Sequence, residues 1–578
     1  MSVADPTYYL PLVYSEWRRG ERGPRGVWSS YWETVLAGDP ALRSLRMTID
    51  LVFGGDRHVR IATEPMTTRS GDTGRVYHYL PALQAEPDVV AEYSLGSATS
   101  SLRALSLTVD GRLVEALALL RERRILAGWA EVSLQIDGGN YDQRIVVMRG
   151  DMSGGISFGA REELVEIEIV DPETTQDRQI PPYVASATTT VSGLPDETVG
   201  LRYPIVWNGH PAVPCLRLST DASSISWLAC SGSTHEVVGV RVGHYDYPAS
   251  SSIYPWSSEQ DTDLANRPYT SVAFGAGSGT FEDGATVYAT LARKDGRTLS
   301  VIDVIRDLLV SWSLVGPRGI SEDLFAAAET KLPPLVAVQV YANASGSTDT
   351  ARAVQFVEST LAADLPMLAF VWSGDGYGPV VTDRRRGRIA ASLRRGHYPV
   401  IDRSSAISET AKTNLLNAFT LRYAYDAVED TFAKVVVRDA GSSILCRISQ
   451  EAVGLREADV IDAITIFDDA TANYVVDWLV EHRSLPSYAV EYECYPVVAF
   501  TLRLGDNVHI TDDRLGWVDE VATVERIVYS RGRAVLSLRV WLLYRGLSGG
   551  ASSGSGVTGG GGGGSVGTVS VAATGGNN

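Results

Sequence analysis

Residues 502–517 read LRLGDNVHITDDRLGW, and a second strand-like run, ATVERIVYS (522–530), follows within a few residues. The stretch gathers three carboxylates (Asp506, Asp512, Asp513) around one imidazole, His509. It is either an acid–base site or an acidic piece of scaffold, and the side-chain period decides between them. Leu502, Leu504, Val508 and Ile510 share a parity, with Gly505-Asp506-Asn507 at a kink. Alternation of this kind predicts strands at 501–504 and 507–511, each with one face turned inward. The acids then fall at turns, where aspartate is favoured because its side chain bonds its own backbone. His509 alternates outward between two apolar neighbours. The expected unit is therefore scaffold: strand, bend, strand, acidic turn.

The same pattern continues on either side. Strands are predicted at 488–493, 522–529 and 534–543, the last pair joined at Arg531-Gly532. Ala534, Leu536, Leu538, Val540 and Leu542 give one apolar face. The other face carries Arg539 and Trp541, a composition suited to meeting another chain. Upstream, FTLRYAY (419–425) and residues 433–438 have strand composition. A helix is expected at about 470–483, with Tyr474, Trp478 and Leu479 on one face.

From 46 to 175 the pattern is again mainly β: RMTIDLVF (46–53), AEVSLQID (130–137), RIVVMR (144–149) and LVEIEIV (164–170). In the last of these, Val165, Ile167 and Ile169 face one way and Glu166 and Glu168 the other, the period of a half-buried strand. One helix is predicted between them, LVEALALLRERRIL (113–126). A Pro/Thr/Ser-rich connector fills 172–200. Residues 200–295 read as a separate all-β unit of short strands with Ser, Gly and Pro between them. Helices follow at 299–312 and 351–362, with a strand within 331–342 and a hairpin turning at Gly374–Gly378.

Length and composition fit this layout. At 578 residues the chain exceeds one ordinary core, and about 150 residues per domain gives roughly four domains. The apolar (44%) and charged (21%) fractions are those of a folded chain. A net charge of −18 disfavours a chain that wraps nucleic acid through phosphate contacts, and suits a surface past which DNA slides. No basic segment followed by an apolar core opens the sequence and no run of 18 apolar residues occurs, so neither a signal peptide nor a membrane span is expected.

The expected fold class is α+β, mainly β and multidomain. Its parts are an aromatic and basic N-terminal arm (1–45), a first β-barrel (46–175), a linker (176–199), an inserted β-domain (200–295), α+β intervening domains (296–404), a second β-barrel (405–545) and a Gly-rich tail (546–578). The arm crowds Tyr8, Tyr9, Tyr14, Trp17, Trp28, Tyr31 and Trp32 with four arginines. It either packs on its own domain or grips a neighbouring subunit, since Tyr, Trp and Arg dominate contact energy. The tail, with six consecutive glycines (559–564), cannot bury enough surface to fold alone. Its SVGTVSV segment has the composition to add a strand to a partner's sheet.

Catalytic and metal motifs fail on context. Gly155-Ile156-Ser157-Phe158-Gly159 has the letters of a nucleophile elbow, but a strand pattern follows where a helix is required. The glycines of 274–279 precede no helix. No GxxxxGK[ST] and no HExxH occurs. His235 and His244, an odd number of positions apart, would face opposite sides of one strand. Asp261 and Asp263 are a weak pair of cation ligands beside a solvated loop. Cys215, Cys230, Cys446 and Cys494 form no CxxC, and a Cys215–Cys230 pair requires neighbouring strands. The densest basic run, DRRRGRIAASLRR (383–395), is a solvated or inter-subunit face, or a contact with DNA. No catalytic, cofactor-binding or metal residue is assigned, and no enzyme activity is expected.

The order of elements around the opening stretch resembles the final domain of tailed-phage baseplate hub proteins: a strand ending in Leu504-Gly505-Asp506, a second strand at Val508–Thr511, the acidic turn Asp512-Asp513, and a closing hairpin at 522–543. VMRGDMSGGISFGAREELVEIEIVDP (147–172) resembles the end of the first hub barrel, and the helix-plus-strand segments of 299–381 resemble the family's intervening domains. The resemblance covers roughly 46–175 and 295–545, and 200–295 stands as an insertion. It implies a homotrimer in which two similar barrels per chain form a ring that continues the tail tube. DNA passes through the lumen without specific binding. The implied partners are a distal tail ring, a tape-measure protein and a central fibre or spike, in a virion tail tip made in the host cytoplasm. Two other functions fit the composition: a cell-surface glycan binder using 200–295, and a glycosidase or peptidase of the cell envelope.

Overall fold

The computed structural model describes residues 45–541 apart from 54–56, 94–103, 111–127, 153–155, 159–163, 172–178, 182, 189, 192–193, 220–224, 276–285, 313–318, 334–337, 343–350, 374–375, 398–399, 496–501 and 531–532. The arm, the expected 113–126 helix, most of the 274–279 glycines and the Gly-rich tail lie outside the described residues. The described chain is α+β and mainly β.

Strands β1 (Leu45–Phe53) and β2 (Arg57–Ala62) open the first barrel. A hairpin of β3 (Met66–Arg69) and β4 (Val76–Tyr79) leaves its wall, and β5 (Val89–Glu92) lies further on. β6 (Ala104–Asp110), β7 (Trp129–Ile136), β8 (Ile145–Asp151), β9 (Ile156–Phe158) and β10 (Leu164–Val170) complete it. The sheet runs β2-β1-β7-β8-β10-β6, antiparallel throughout. Residues 80–84 close it. Ala62 N–H donates to Leu80 O (2.9 Å) and Leu83 N–H to Ala62 O (3.0 Å) on one side, while Gln84 N–H donates to Thr108 O (3.0 Å) and Asp110 N–H to Ala82 O (2.7 Å) on the other. Alternation fills the interior: Met47, Ile49, Leu51, Val132, Leu134, Val165, Ile167 and Ile169 are buried together.

The insertion is a sandwich of two four-stranded antiparallel sheets, 210–214/287–293/235–242/245–247 and 216–217/225–231/268–274/256–262. Val213, Val240, Val272, Ala289 and Leu291 fill the space between them. The Cys215 and Cys230 thiols lie in that core, both free.

Beyond it, α1 (Val301–Asp307) begins at Ser300, whose side chain caps Asp303 N–H while Asp303 caps Ser300 in return. A π-helical turn at Leu308–Trp312 continues it. α2 (Glu322–Lys331) lies against the buried hairpin 368–373/376–381. The expected 351–362 helix starts two residues late, because Ala351 and Arg352 pair with Gln179 and Ile180.

The second barrel comprises β11 (Ile389–Arg394), β12 (Val400–Arg403), and, after an excursion, β16 (Tyr488–Cys494), β17 (Asn507–Asp512), β18 (Trp517–Ser530) and β19 (Arg533–Val540). Its sheet thus takes in residues upstream of the expected boundary at 405. The order is β11-β17-β18-β19-β16-β12, and a short turn with Val400 N–H bonded to His397 O (2.8 Å) joins the two end strands. The excursion is a module of β13 (Phe419–Asp426), β14 (Thr431–Arg438), α3 (Ile444–Val453), β15 (Ile461–Asp462) and α4 (Asp469–Arg483). Its sheet runs β14-β13-β15, with α4 against β13 and β14.

The two barrels share a topology. Going round each wall, the strands follow one cyclic order when β1, β2, β6, β7, β8 and β10 are matched to β11, β12, β16, β17, β18 and β19. The directions agree for all but the first strand: β1 meets β7 antiparallel, whereas β11 meets β17 parallel.

Candidate functional site, the joint between the barrels

The opening acidic stretch is scaffold. Leu502, Leu504, Val508 and Ile510 are all buried. Residues 502–505 are not a strand as expected; a turn at 503–506 closes with Asp506 N–H on Arg503 O (3.1 Å). Gly505 makes that turn at a φ of 80°, and a Cβ there would lie 2.5 Å from Val380 Cγ1, so the position excludes a side chain twice over. Asp506 Oδ2 accepts from Arg503 N–H (2.9 Å) across the turn. Asp512 is fully buried. Its Oδ1 accepts from Arg514 N–H (3.1 Å) and Arg395 (3.4 Å), its Oδ2 from the Tyr492 hydroxyl (3.1 Å). Tyr492 is on β16 and Arg395 follows β11, so one carboxylate ties three parts of the curled wall. Asp513 is exposed and pairs with Arg394 (2.9 Å). The carboxylates and His509 do not converge on one point.

Other candidates resolve the same way. Ser157 sits on β9, which pairs with β10, and donates to Glu166 (3.0 Å). His235 is buried and hydrogen-bonded to Asn208 O (2.7 Å), while His244 is exposed beside Glu429 (2.9 Å). Asp263 takes hydrogen bonds from Ala265 N–H, Arg267 N–H, Arg267 Nε and the Tyr203 hydroxyl. Burial works to raise its pKa, but the Arg267 bonds outweigh it and hold the carboxyl below its ordinary value. Among the described residues no group of three or more His, Cys, Asp or Glu is placed to hold a metal ion. The basic run is paired in part within the chain, Arg385 with Glu481 (2.6 Å) and Arg395 with Asp402 (2.6 Å), while Arg385, Arg386, Arg388 and Arg394 stay exposed. Trp541, expected on a face toward another chain, is covered by its own chain, with His482 edge-on at 5.5 Å and Arg384 over the ring at 5.5 Å.

What the chain does build is a joint. β5 belongs to the first barrel's excursion but pairs antiparallel with β18 of the second, Val89 to Tyr529 through Glu92 to Arg526. Tyr93 N–H extends the ladder to Glu525 O (3.2 Å). From the other side, Tyr529 of β18 reaches into the first barrel's core and is only 2% exposed. Arg526 pairs with Glu92 (2.9 Å) across the seam, and Glu525 holds Arg539 in a two-pronged pair (2.8 and 3.0 Å). Burial, then the nearby Glu525, push the Tyr93 hydroxyl well above its ordinary pKa, so it stays protonated. A shared strand and a shared core residue make the two barrels one continuous structure.

The hairpin β3–β4 covers a polar wall. Thr48, Asp50, Glu131, Ser133 and Gln135 point away from the barrel interior yet are buried. Glu131 binds Arg144 (2.7 Å) and Arg149 (2.9 Å). Burial alone would raise its pKa; the two guanidiniums reverse this and lower it. The Tyr141 hydroxyl donates to Asp50 (2.7 Å), and Tyr77 stacks on Tyr141 at 4.1 Å. Burial raises the Asp50 pKa against Arg60 and Arg144. Sequence alternation predicts these outward residues to be solvated, and no local signal marks the flap that covers them.

No protein-family model matches the chain, and no curated protein matches it. Among solved structures it is similar to a chain in the virion of a native gene transfer agent particle, at 12% identity over 45% of this chain and 84% of that one, with a TM-score of 0.19. It is similar to a chain of the lidless PdpA–VgrG complex, at 8% identity over 87% of this chain and 66% of that one, with a TM-score of 0.32. A chain of the phage P2 baseplate in its activated conformation with calcium gives 11% identity over 63% of this chain and 96% of that one, with a TM-score of 0.17.

Proposed function

We propose that the chain is the structural hub of a phage or phage-like tail tip. Three copies form a ring of six similar barrels that continues the tail tube, surrounds the DNA channel and anchors a distal tail ring, a tape-measure protein and a central fibre or spike. One observation carries the reading: two sequence-distant sheets of one chain curl with the same cyclic strand order and are fused by a shared strand. A closed ring needs repeated, laterally joined units, and a chain holding two of them needs only three copies for six. The sequence resemblance to baseplate hub proteins points the same way. Net charge of −18 suits a lumen from which DNA is repelled and through which it slides. The reading assigns no reaction to the chain. Light scattering of the purified full chain tests it: the mass of three chains is expected, and a monomer at every concentration overturns it.

A further inference from the structure

In the first barrel, the chain between β2 and β6 leaves the wall, and its β5 is laid onto β18 of the second barrel. At the corresponding place in the second barrel, between β12 and β16, the chain carries the β13–α4 module. One face of the module's sheet is covered by α4: Phe419, Leu421 and Tyr423 of β13 are buried. The opposite face has no cover among the described residues. Val435 pairs with Arg422 and Val437 with Thr420, while Asp462 pairs with Arg422 from the other side. By side-chain period Val460 and Ile464 share the face of Asp462. Val435, Val437, Val460 and Ile464 therefore lie on one face, and they are 55, 47, 50 and 44% exposed. An Arg422–Asp462 ion pair crosses the middle. A sheet normally buries such a face against a second layer, and the exposed aliphatic side chains on either side of the Arg422–Asp462 pair are what such a layer would cover.

We propose that this face is where the second barrel of one copy grips the first barrel of a second copy of this chain, on the wall of β8–β10. The internal repetition of the two barrels points to this site. Within the chain, the excursion between the second and third wall strands of one barrel reaches the next barrel at β18, whose counterpart in the first barrel is β8. Repeating that relation from the second barrel leads the module to β8 of the neighbouring copy. The wall there exposes Leu164 (44%), an apolar residue available to the valine face.

The inference rests on the ring reading, and the experiment separates the two. Sedimentation of the full chain over a range of concentrations is compared for wild type, V435D/V437D, and V238D, which alters an exposed valine on the sandwich. Wild type and V238D should form trimers, and V435D/V437D should dissociate with an apparent constant weakened by roughly 100-fold or more. A photo-crosslinker on V437C, with the four native cysteines buried, should capture a peptide from 145–170 of another copy. A trimeric wild type with an equally trimeric V435D/V437D, or capture outside 145–170, overturns this inference and leaves the ring standing. A wild type that never assembles overturns both.

Discussion

Asp512 and Asp513 are neighbours with the same side chain and opposite consequences. Asp512 is fully buried between Tyr492, Arg395 and the Arg514 N–H, whereas Asp513 lies exposed beside Arg394. Removing a buried carboxylate strands its donors, so Asp512→Ala should cost about 3 kcal/mol. Asp513→Ala should cost less than about 1 kcal/mol, as exposed pairs do. Denaturant unfolding of the two variants checks the contrast. Asp364 gives a pH signature. Burial pushes its carboxyl up to about 6 from 3.8, against hydrogen bonds from Thr465 N–H (2.8 Å) and Oγ1 (2.6 Å). A raised folded-state pKa means the folded chain holds the proton more tightly than the unfolded one. Stability from this group is therefore present at pH 4, falls as pH rises to about 6, and is flat above. Asp364→Asn removes the titration, so its stability relative to wild type should improve by about 2–3 kcal/mol from pH 4 to pH 7. A difference that does not vary with pH would contradict the assignment. At this scale the sequence showed that the acids of 502–517 were scaffold, because parity and turn chemistry are local. It did not show which acid is buried, because Tyr492 and Arg395 reach Asp512 from distant parts of the chain.

Elements were legible where the period was clean. Leu164–Val170 falls where its alternation predicts, and the helix expected at 470–483 spans Asp469–Arg483. β5, the β3–β4 hairpin and α3 were not read from the sequence. β5 has only four residues, and its partner β18 lies more than four hundred positions away. The outward polar residues of β1 and β7 imitate a solvated wall because their cover is built from a separate hairpin. The joint makes a specific demand on Tyr529. Tyr529→Ala should open a cavity in the first barrel's core from a strand of the second and cost about 3–5 kcal/mol. Amide exchange in 89–92 should speed up with it. Arg526→Ala, removing a half-exposed pair, should leave that exchange near wild type. Equal protection of 89–92 in all three proteins would show that Tyr529 does not couple the barrels.

For the whole molecule, fold class was legible because it depends on composition and period summed over long segments. The arrangement of the second barrel was not. Its wall begins at Ile389, upstream of the expected boundary, and a helical module interrupts it before Tyr488. Parallel pairing of β11 with β17 across that module leaves no local trace in sequence. The repeated strand order is the feature from which assembly follows, since two like units in one chain can close a ring with few copies. Electron microscopy of the purified full chain tests this most directly. Class averages should show three chains as a ring of six similar lobes around an open centre. Single chains with no central opening, at concentrations where the protein is pure and folded, would contradict it.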